Sequence, residues 1–419
     1  MKDSGVEWIG EIPEDWVINP LSNKFKEHKV KNIGNTEKNV LSLSYGHIVK
    51  RNVDNNKGLL PESFETYNIV FPGNIVLRLT DLQNDQKSWR VGLVKEKGII
   101  TSAYLTLEAE CNEISNTFYY YLFHIYDRTK IIYNMGNGVR QNLKYSELSK
   151  MPIVVPPIKQ QTRLASFLDT KCSLIDSTIH KEREVIDKLK EYRQAVITEA
   201  VTKGIREGVP MKDSGVEWIG EIPEGWGLRR LGYLSSMIVP MRDKPTAFDG
   251  DIPWIRIEDF DGKYIDKSKS NQNITQEIIN QMNIKVYPAG TVLCSCSCTL
   301  GICAIVSKAI CSNQTFIGIV PNDKIISNYL YYLMSASSER LQYLSSGALQ
   351  VYLSRTDFEH LHVAIPKVEE QQEIADYLDA KCSEIDATIQ KRELAIEKLT
   401  AYKQSLIYEC VTGKKEVLG

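Results

Sequence analysis

Residues 1–16 read MKDSGVEWIGEIPEDW and residues 211–226 read MKDSGVEWIGEIPEGW, differing only where Asp15 gives way to Gly225. Identity this close at an offset of 210 marks a tandem duplication. The same offset lays 156–202 over 366–412 without a gap, with 22 identities in 47 positions. Between these frames, 17–155 and 227–365 resemble one another only faintly. One frame around two divergent inserts implies a scaffold that reads two different things.

The longer repeat is the simplest to read physically, because nothing after Pro157 interrupts a helix until Gly204. Leu168, Cys172, Ile175, Ile179, Glu182, Ile186, Leu189, Arg193, Val196 and Ala200 recur at alternating spacings of four and three. That is a heptad seam, and the second copy repeats it as Leu378, Cys382, Ile385, Ile389, Arg392, Ile396, Leu399, Lys403, Leu406 and Cys410. Two helices of roughly 45 residues, about 68 Å long, with matching stripes in one chain predict an intramolecular coiled coil. The competing arrangement packs each amphipathic helix on its own neighbouring domain. Glu182 sits mid-stripe and its counterpart Arg392 carries the opposite charge, so an antiparallel pair crossing there would bring them together and fix register. Absence of coupling in a double-mutant cycle would count against that register.

Composition sets wider bounds. A chain of 419 residues holds two or three domains with proper cores. No apolar run is long enough to span a bilayer, and MKDSGVEW lacks the features of a signal peptide, so a cytoplasmic protein is expected. Nine cysteines without framework spacing fit reduced thiols. The net charge of -2 conceals an asymmetry: 17–155 carries 18 Lys and Arg against 13 Asp and Glu, while 227–365 carries 13 against 12. Nucleic acid could therefore dock on the inserts without the whole chain being basic.

Both inserts read as mixed sheet and helix. Short β-rich runs fall at 39–44, 73–79 and 91–95, and again at 252–257, 290–296 and 302–307. Each insert then offers an aromatic helix, 118–126 or 329–334, and a glycine-bearing polar stretch, 136–144 or 345–355. Each ends in an apolar strand running into proline, MPIVVPP at 151–157 and LHVAIP at 361–366. The fold class expected is α+β, two mixed domains joined by two long helices in a pseudo-twofold repeat. Its boundaries are 1–155, 156–204, 205–365 and 366–419, alternating recognition domain and spacer helix.

The SGVEWIGEIPExW repeat, the strand-to-proline exit, the PPIKQQ and PKVEEQQEIADYLD helix starts and the shared KCSxID resemble the specificity subunit of type I restriction-modification systems. The resemblance covers the whole chain. It implies two target-recognition domains, each reading one half of a bipartite double-stranded DNA sequence. The helices would be a spacer that sets half-site distance and docks two methyltransferase subunits, with up to two restriction and translocase subunits joining them. Transfer of methyl from S-adenosylmethionine to adenine N6, and cleavage driven by ATP with magnesium, would belong to those partners. The short repeats, with Trp8, Trp16, Trp218 and Trp226, would anchor each domain on the helix end of the other half.

The residues themselves also argue against catalysis. Amino-methyltransferases use Asp or Asn before Pro-Pro-aromatic, whereas Pro156-Pro157 follows Val155 and precedes Ile158. The single GxG, Gly136-Asn137-Gly138, does not follow a strand in a βαβ pattern, and no GxxxxGK[ST] loop exists. Two alternatives remain: a modification enzyme with an unrecognised site, tested by methyl transfer with this chain alone, and a protein-binding scaffold, separated by salt-sensitive duplex binding. No cofactor or metal is expected. Cys294, Cys296 and Cys298 alternate with serines, so on a strand their sulfurs share one face as small core residues, filling the place that 75–79 takes in the first copy. Zinc sites favour wider spacing. The aromatic run Phe118 to Tyr121 reads as a buried helix face rather than a base-stacking platform, and His124 and His360 as structural.

Base edges are read by amides, hydroxyls and bidentate donors on loops, and phosphates by Lys and Arg. In the first domain this selects Ser44, Tyr45, His47, Lys50 and Arg51, then Arg78, Thr80, Gln83 and Asn84, then Arg140, Gln141, Asn142 and Lys144. In the second it selects Arg256, Ser295, Ser297, Thr299, Gln350, Tyr352 and Arg355. Gln141 and Gln350 follow Gly138 and Gly347 at equal spacing, which suggests a shared reading loop.

Overall fold

Each long helix starts where a strand runs into proline and stops at a glycine. In the computed structural model, which describes residues 1–51, 63–82, 89–111, 113–135, 142–240, 244–297, 300–345 and 353–417, the helices span Ile158–Lys203 and Val368–Val411. Proline suits a helix start because its missing N–H costs nothing there. Gly204 (φ 78°) and Gly413 (φ 75°) adopt the left-handed conformation that ends a helix without a Cβ penalty.

The chain divides into two compact units, one of Met1–Glu182 with Leu394–Gly419 and one of Arg183–Glu393. Each unit holds half of each helix. In the first, Leu168, Cys172, Ile175 and Ile179 share a core with Leu406, Ile407, Cys410 and Val411, and Lys403 Nζ meets Asp176 Oδ2 at 2.6 Å. In the second, Ile197, Ala200 and Val201 pack with Ile374, Leu378 and Cys382, and Arg193 meets Asp386 at 2.6 Å. The early part of one helix lies against the late part of the other, so both units contain an antiparallel pair. The two ion pairs are related by the repeat offset. Glu182 belongs to the first unit and Arg392 to the second.

The nearly identical short repeats fold alike. Ser4 N–H donates to Gly10 O and Ser214 N–H to Gly220 O, both at 3.0 Å. Trp16 is buried among Ile9, Ile12 and the end of the second long helix, edge-on to Phe118. Trp226 takes the corresponding place against Ile197 and Val201, so each short repeat rests on a long-helix end. Truncating a buried tryptophan costs about 3–5 kcal/mol, making these contacts principal clamps.

The first insert builds an antiparallel sheet in the order Phe25–Glu27, Leu105–Ala109, Ile75–Leu77, Val91–Leu93, covered by the helix Asn116–Arg128. The second builds the order Ser235–Ile238, Phe316–Pro321, Val292–Ser295, Cys303–Val306, Tyr264–Ile265, covered by Ser327–Ala336. The exit strands Pro152–Val155 and His362–Ile365 pair antiparallel with Val17–Pro20 and Gly227–Arg230. Buried Gln161 and Gln371 join insert to scaffold. Gln161 donates to Pro156 O at 2.7 Å and accepts from Ser115 N–H at 2.9 Å; Gln371 donates to Pro366 O at 3.1 Å and accepts from Ile326 N–H at 3.0 Å.

Register corrects one correspondence. Ile75 lies opposite Leu107 and Val292 opposite Ile319, so Cys294 matches Leu77, two residues beyond the place expected from sequence. A shift of two keeps the same face toward the core, and Cys294 and Cys296 are buried there as expected. Cys298 lies outside the described residues.

Candidate nucleic-acid interface

Segment 41–51 is a hairpin, Leu41–Ser44 against His47–Lys50, closed by Tyr45 (φ 47°) and Gly46 (φ 79°). Two consecutive left-handed residues make the tight turn whose twist matches the strands. The turn is packed on one side: a Cβ on Gly46 would lie 2.9 Å from the Trp89 ring, and Tyr120 Oη donates to Gly46 O at 3.2 Å. The tip therefore presents Tyr45, 83% exposed, with His47 and Lys50 also exposed. Partial burial first, and then the Lys403 ammonium, hold the His47 imidazole below its ordinary pKa. A neutral ring can both donate and accept.

Loop 78–82 is held by a residue that spacing did not suggest. Arg90 is buried, and its guanidinium donates to the carbonyls of Arg78 (3.1 Å), Thr80 (2.7 Å) and Asp81 (3.1 Å) and to Tyr133 Oη (2.9 Å). Buried Asp127 accepts from Arg90 N–H at 3.0 Å, and burial raises its pKa. The preceding residue, Trp89, packs on the hairpin turn, against His124 and under Arg128. Residues 89 and 90 thus connect the two predicted groups. The only sequence hint was a charge abutting an apolar strand.

The third group joins the second. Asp81 N–H donates to Asn142 Oδ1 at 2.9 Å, and Leu143 N–H to Leu79 O at 3.0 Å. Thr80, Asn142 and Lys144 line one cavity of about 510 Å³ with His28, Lys29, Ser102 and Tyr104. Deep in its wall, Asn68 Oδ1 and Thr106 Oγ1 are buried without a partner among the described residues. His28 bridges Glu108 at 2.8 Å and Ile69 O at 2.9 Å, and this bond holds the Glu108 carboxyl below its usual pKa. Mixed hydroxyls, amides and lysines can recognise a polar edge and an anionic backbone together. Gln83, Asn84, Arg140 and Gln141 lie outside the described residues.

The second unit repeats the tie with different side chains. Leu353 N–H donates to Cys296 O at 2.8 Å, and Ser354 caps the helix Arg355–Glu359 where Lys144 precedes Tyr145–Leu148. Ser295, chosen as a contact, is only 1% exposed and gives its hydroxyl to Ser297 O at 3.0 Å, which withdraws it from any duplex. Arg256 is half-buried against Glu258 (2.8 Å) and Ser270 (3.0 Å), and Arg355 pairs with Glu359 at 2.6 Å. Ser297 is half-buried. Thr299, Gln350 and Tyr352 lie outside the described residues. The run at 118–121 is helical and inward-facing, with Phe118 and Tyr119 fully buried. His124 packs between the Trp89 and Tyr120 rings.

Two stretches of the chain, 23–190 and 223–398, match the profile of the type I restriction modification DNA specificity domain. A putative type I restriction enzyme specificity subunit, MjaX, of Methanocaldococcus jannaschii is 24% identical over 98% of this chain and 96% of its own. The MjaIX specificity subunit of the same organism is 32% identical over 38% of each chain. A solved chain described under complex assembly and conformational transition of the type I R-M system superposes with a TM-score of 0.72 at 16% identity, covering 97% of this chain and 100% of that one.

Proposed function

With one such domain in each half, the chain belongs to the type I restriction-modification DNA specificity family, and we propose that it is the subunit through which a restriction-modification complex finds its target. Its two domains read the halves of one interrupted duplex sequence. The inserts differ in side chains, so the halves differ and the target is asymmetric. The paired helices set the half-site centres about 34 Å apart, one turn of DNA, and dock two methyltransferase subunits, with restriction and translocase subunits completing the complex. Methyl transfer from S-adenosylmethionine to adenine N6 and ATP- and magnesium-dependent cleavage are the partners' chemistry. This chain supplies no catalytic group and works in the cytoplasm; among its described residues no helix is long and apolar enough to cross a membrane.

In the first domain the contacts are Tyr45 and His47 at the hairpin tip and Lys50 at its far end, with Thr80, Asn142 and Lys144 at the cavity. The observation that carries this reading is the Asp81–Asn142 bond, which unites two loops selected independently for their donors and acceptors. The test is adenine methylation mapped across a bacterial genome expressing this chain with its methyltransferase subunit, against the methyltransferase alone. One interrupted asymmetric motif appearing only with this chain is expected. A soluble complex that yields no motif would refute DNA reading and leave a protein scaffold.

A further inference from the structure

In the second unit Cys294 stands directly across from Cys303 on neighbouring antiparallel strands, Val292–Ser295 and Cys303–Val306. Ladder bonds flank this pair: Ser295 N–H donates to Ile302 O at 2.9 Å and Val306 N–H to Thr291 O at 2.8 Å. Bonded and non-bonded pairs alternate along such a ladder, which makes 294/303 a non-hydrogen-bonded pair, with Cα atoms about 4.5 Å apart and side chains at their closest. A disulfide spans Cα separations of about 4.4–6.8 Å, so the pair sits at the short end of the range.

The two thiols are unequal. Cys294 is 2% exposed, while Cys303 lines a cavity of about 560 Å³ together with Lys263, Gly301 and Ser338. Cys303 Sγ lies 3.3 Å from Ser335 Oγ, and both Cys294 and Ser335 favour its thiolate, whereas burial pushes the Cys294 thiol up. The corresponding places in the first unit are Leu77 and Val91, so only the second domain carries the pair.

We propose that Cys294 and Cys303 form a reversible oxidation site, a dithiol that peroxide converts to a cross-strand disulfide. The Cys303 thiolate attacks a peroxide oxygen; the S–O bond forms, the O–O bond breaks, and the departing hydroxide takes a proton to become water. Cys294 sulfur then gives up its proton and attacks the Cys303 sulfur; the S–S bond forms and a second water leaves. Two thiols lose two electrons and two protons, and one peroxide becomes two waters. Closure would clamp the strand leading to Cys296, whose carbonyl holds the Leu353 loop, in one reader and not the other.

The test uses the full chain, treated with hydrogen peroxide, alkylated and digested with chymotrypsin, which cuts at Leu300 between the two cysteines. Fragments joined through Cys294 and Cys303, and released by dithiothreitol, are expected. Cys294→Ala and Cys303→Ser should each abolish that linkage while Cys296→Ala retains it. Unlinked wild-type fragments under peroxide that oxidises exposed Cys111, or a wild-type link mapped to Cys296 or Cys298 in place of Cys294, would overturn the proposal. The wild-type linkage is decisive even if a variant fails to fold.

Discussion

Replacing Arg90 with methionine tests whether the first reading loop owes its shape to one buried guanidinium. The substitution keeps much of the volume and removes every donor. Acceptors that lose a bond include the carbonyls of Arg78, Thr80 and Asp81 and the Tyr133 hydroxyl. Charge-assisted bonds contribute about 1.5–3 kcal/mol each, but burying the charge offsets much of that sum, and breaking a buried ionic network by removing one partner costs about 3–5 kcal/mol. Against a domain stability of about 5–15 kcal/mol, the unit should survive with loop 78–82 no longer pinned. Arg90→Lys should rescue little, because one ammonium cannot reproduce the fork that reaches three carbonyls. The assay is binding of the assembled complex to duplexes altered in one half-site at a time, with hydrogen exchange at 78–82. Mismatches in the first half-site, each normally costing about 1–3 kcal/mol, should lose most of their penalty while those in the second keep theirs. Unchanged first-half discrimination with unchanged amide protection would refute the role of Arg90.

Two further outcomes follow from the same region. Burial depresses the His124 pKa to about 4, and its Nδ1 has no partner among the described residues. The unfolded chain thus binds more protons between pH 6.5 and 4, so stability is full above 6.5 and falls by about 3 kcal/mol on acidification through that window. Stability measured against pH should lose this slope in His124→Phe; a slope that persists would assign the acid sensitivity elsewhere. Gly46→Ala should destabilise the hairpin by about 1–2 kcal/mol, through its positive φ and the Trp89 ring. Tyr45→Ala should change stability by less than about 0.5 kcal/mol yet weaken duplex binding, and equal stability losses in chemical denaturation of the two variants would contradict the exposed-tip geometry.

The scaffold was legible because its signals are periodic or repeated. The stripe from Leu168 to Ala200 predicted a helix that runs to Lys203, and the glycine and proline punctuation marked its ends within a few residues. The strand cores at 41–44, 75–77, 91–93, 252–255 and 292–295 fell inside the predicted runs, since alternation and turn residues mark them. Where identity between the inserts ends, register could not be counted, and the Cys294 correspondence slipped by two residues. Ser295 was chosen for its hydroxyl, but a strand position inside a five-stranded sheet buries it. Arg90 was invisible for the converse reason: its acceptors are backbone carbonyls gathered by folding, and no side-chain pattern announces them.

This division suggests how one frame can carry two specificities. Several of the bonds that fasten each reader to the scaffold, or tie its own loops together, end on repeated side chains or on backbone groups. Gln161 and Gln371 are repeat partners, and so are Asp169 and Asp379, which accept from Tyr121 at 2.8 Å and Tyr332 at 2.5 Å. Those tyrosines stand one position apart in the repeat register, yet both hydroxyls reach the same carboxylate site. The ties Leu143 to Leu79 and Leu353 to Cys296 use only N–H and C=O groups, so any side chain can occupy their positions. By contrast Thr80, Asn142 and Lys144 at the first cavity correspond by strand register or repeat position to Ser297, Tyr352 and Ser354 in the second copy, with no identity among them. Substitution at Thr80 or Lys144 changes donors and acceptors without breaking a bond to the scaffold, whereas Asn142 also holds loop 78–82 through Asp81 N–H. Specificity can therefore drift in one half while the spacer, the clamps and the other half stay as they are.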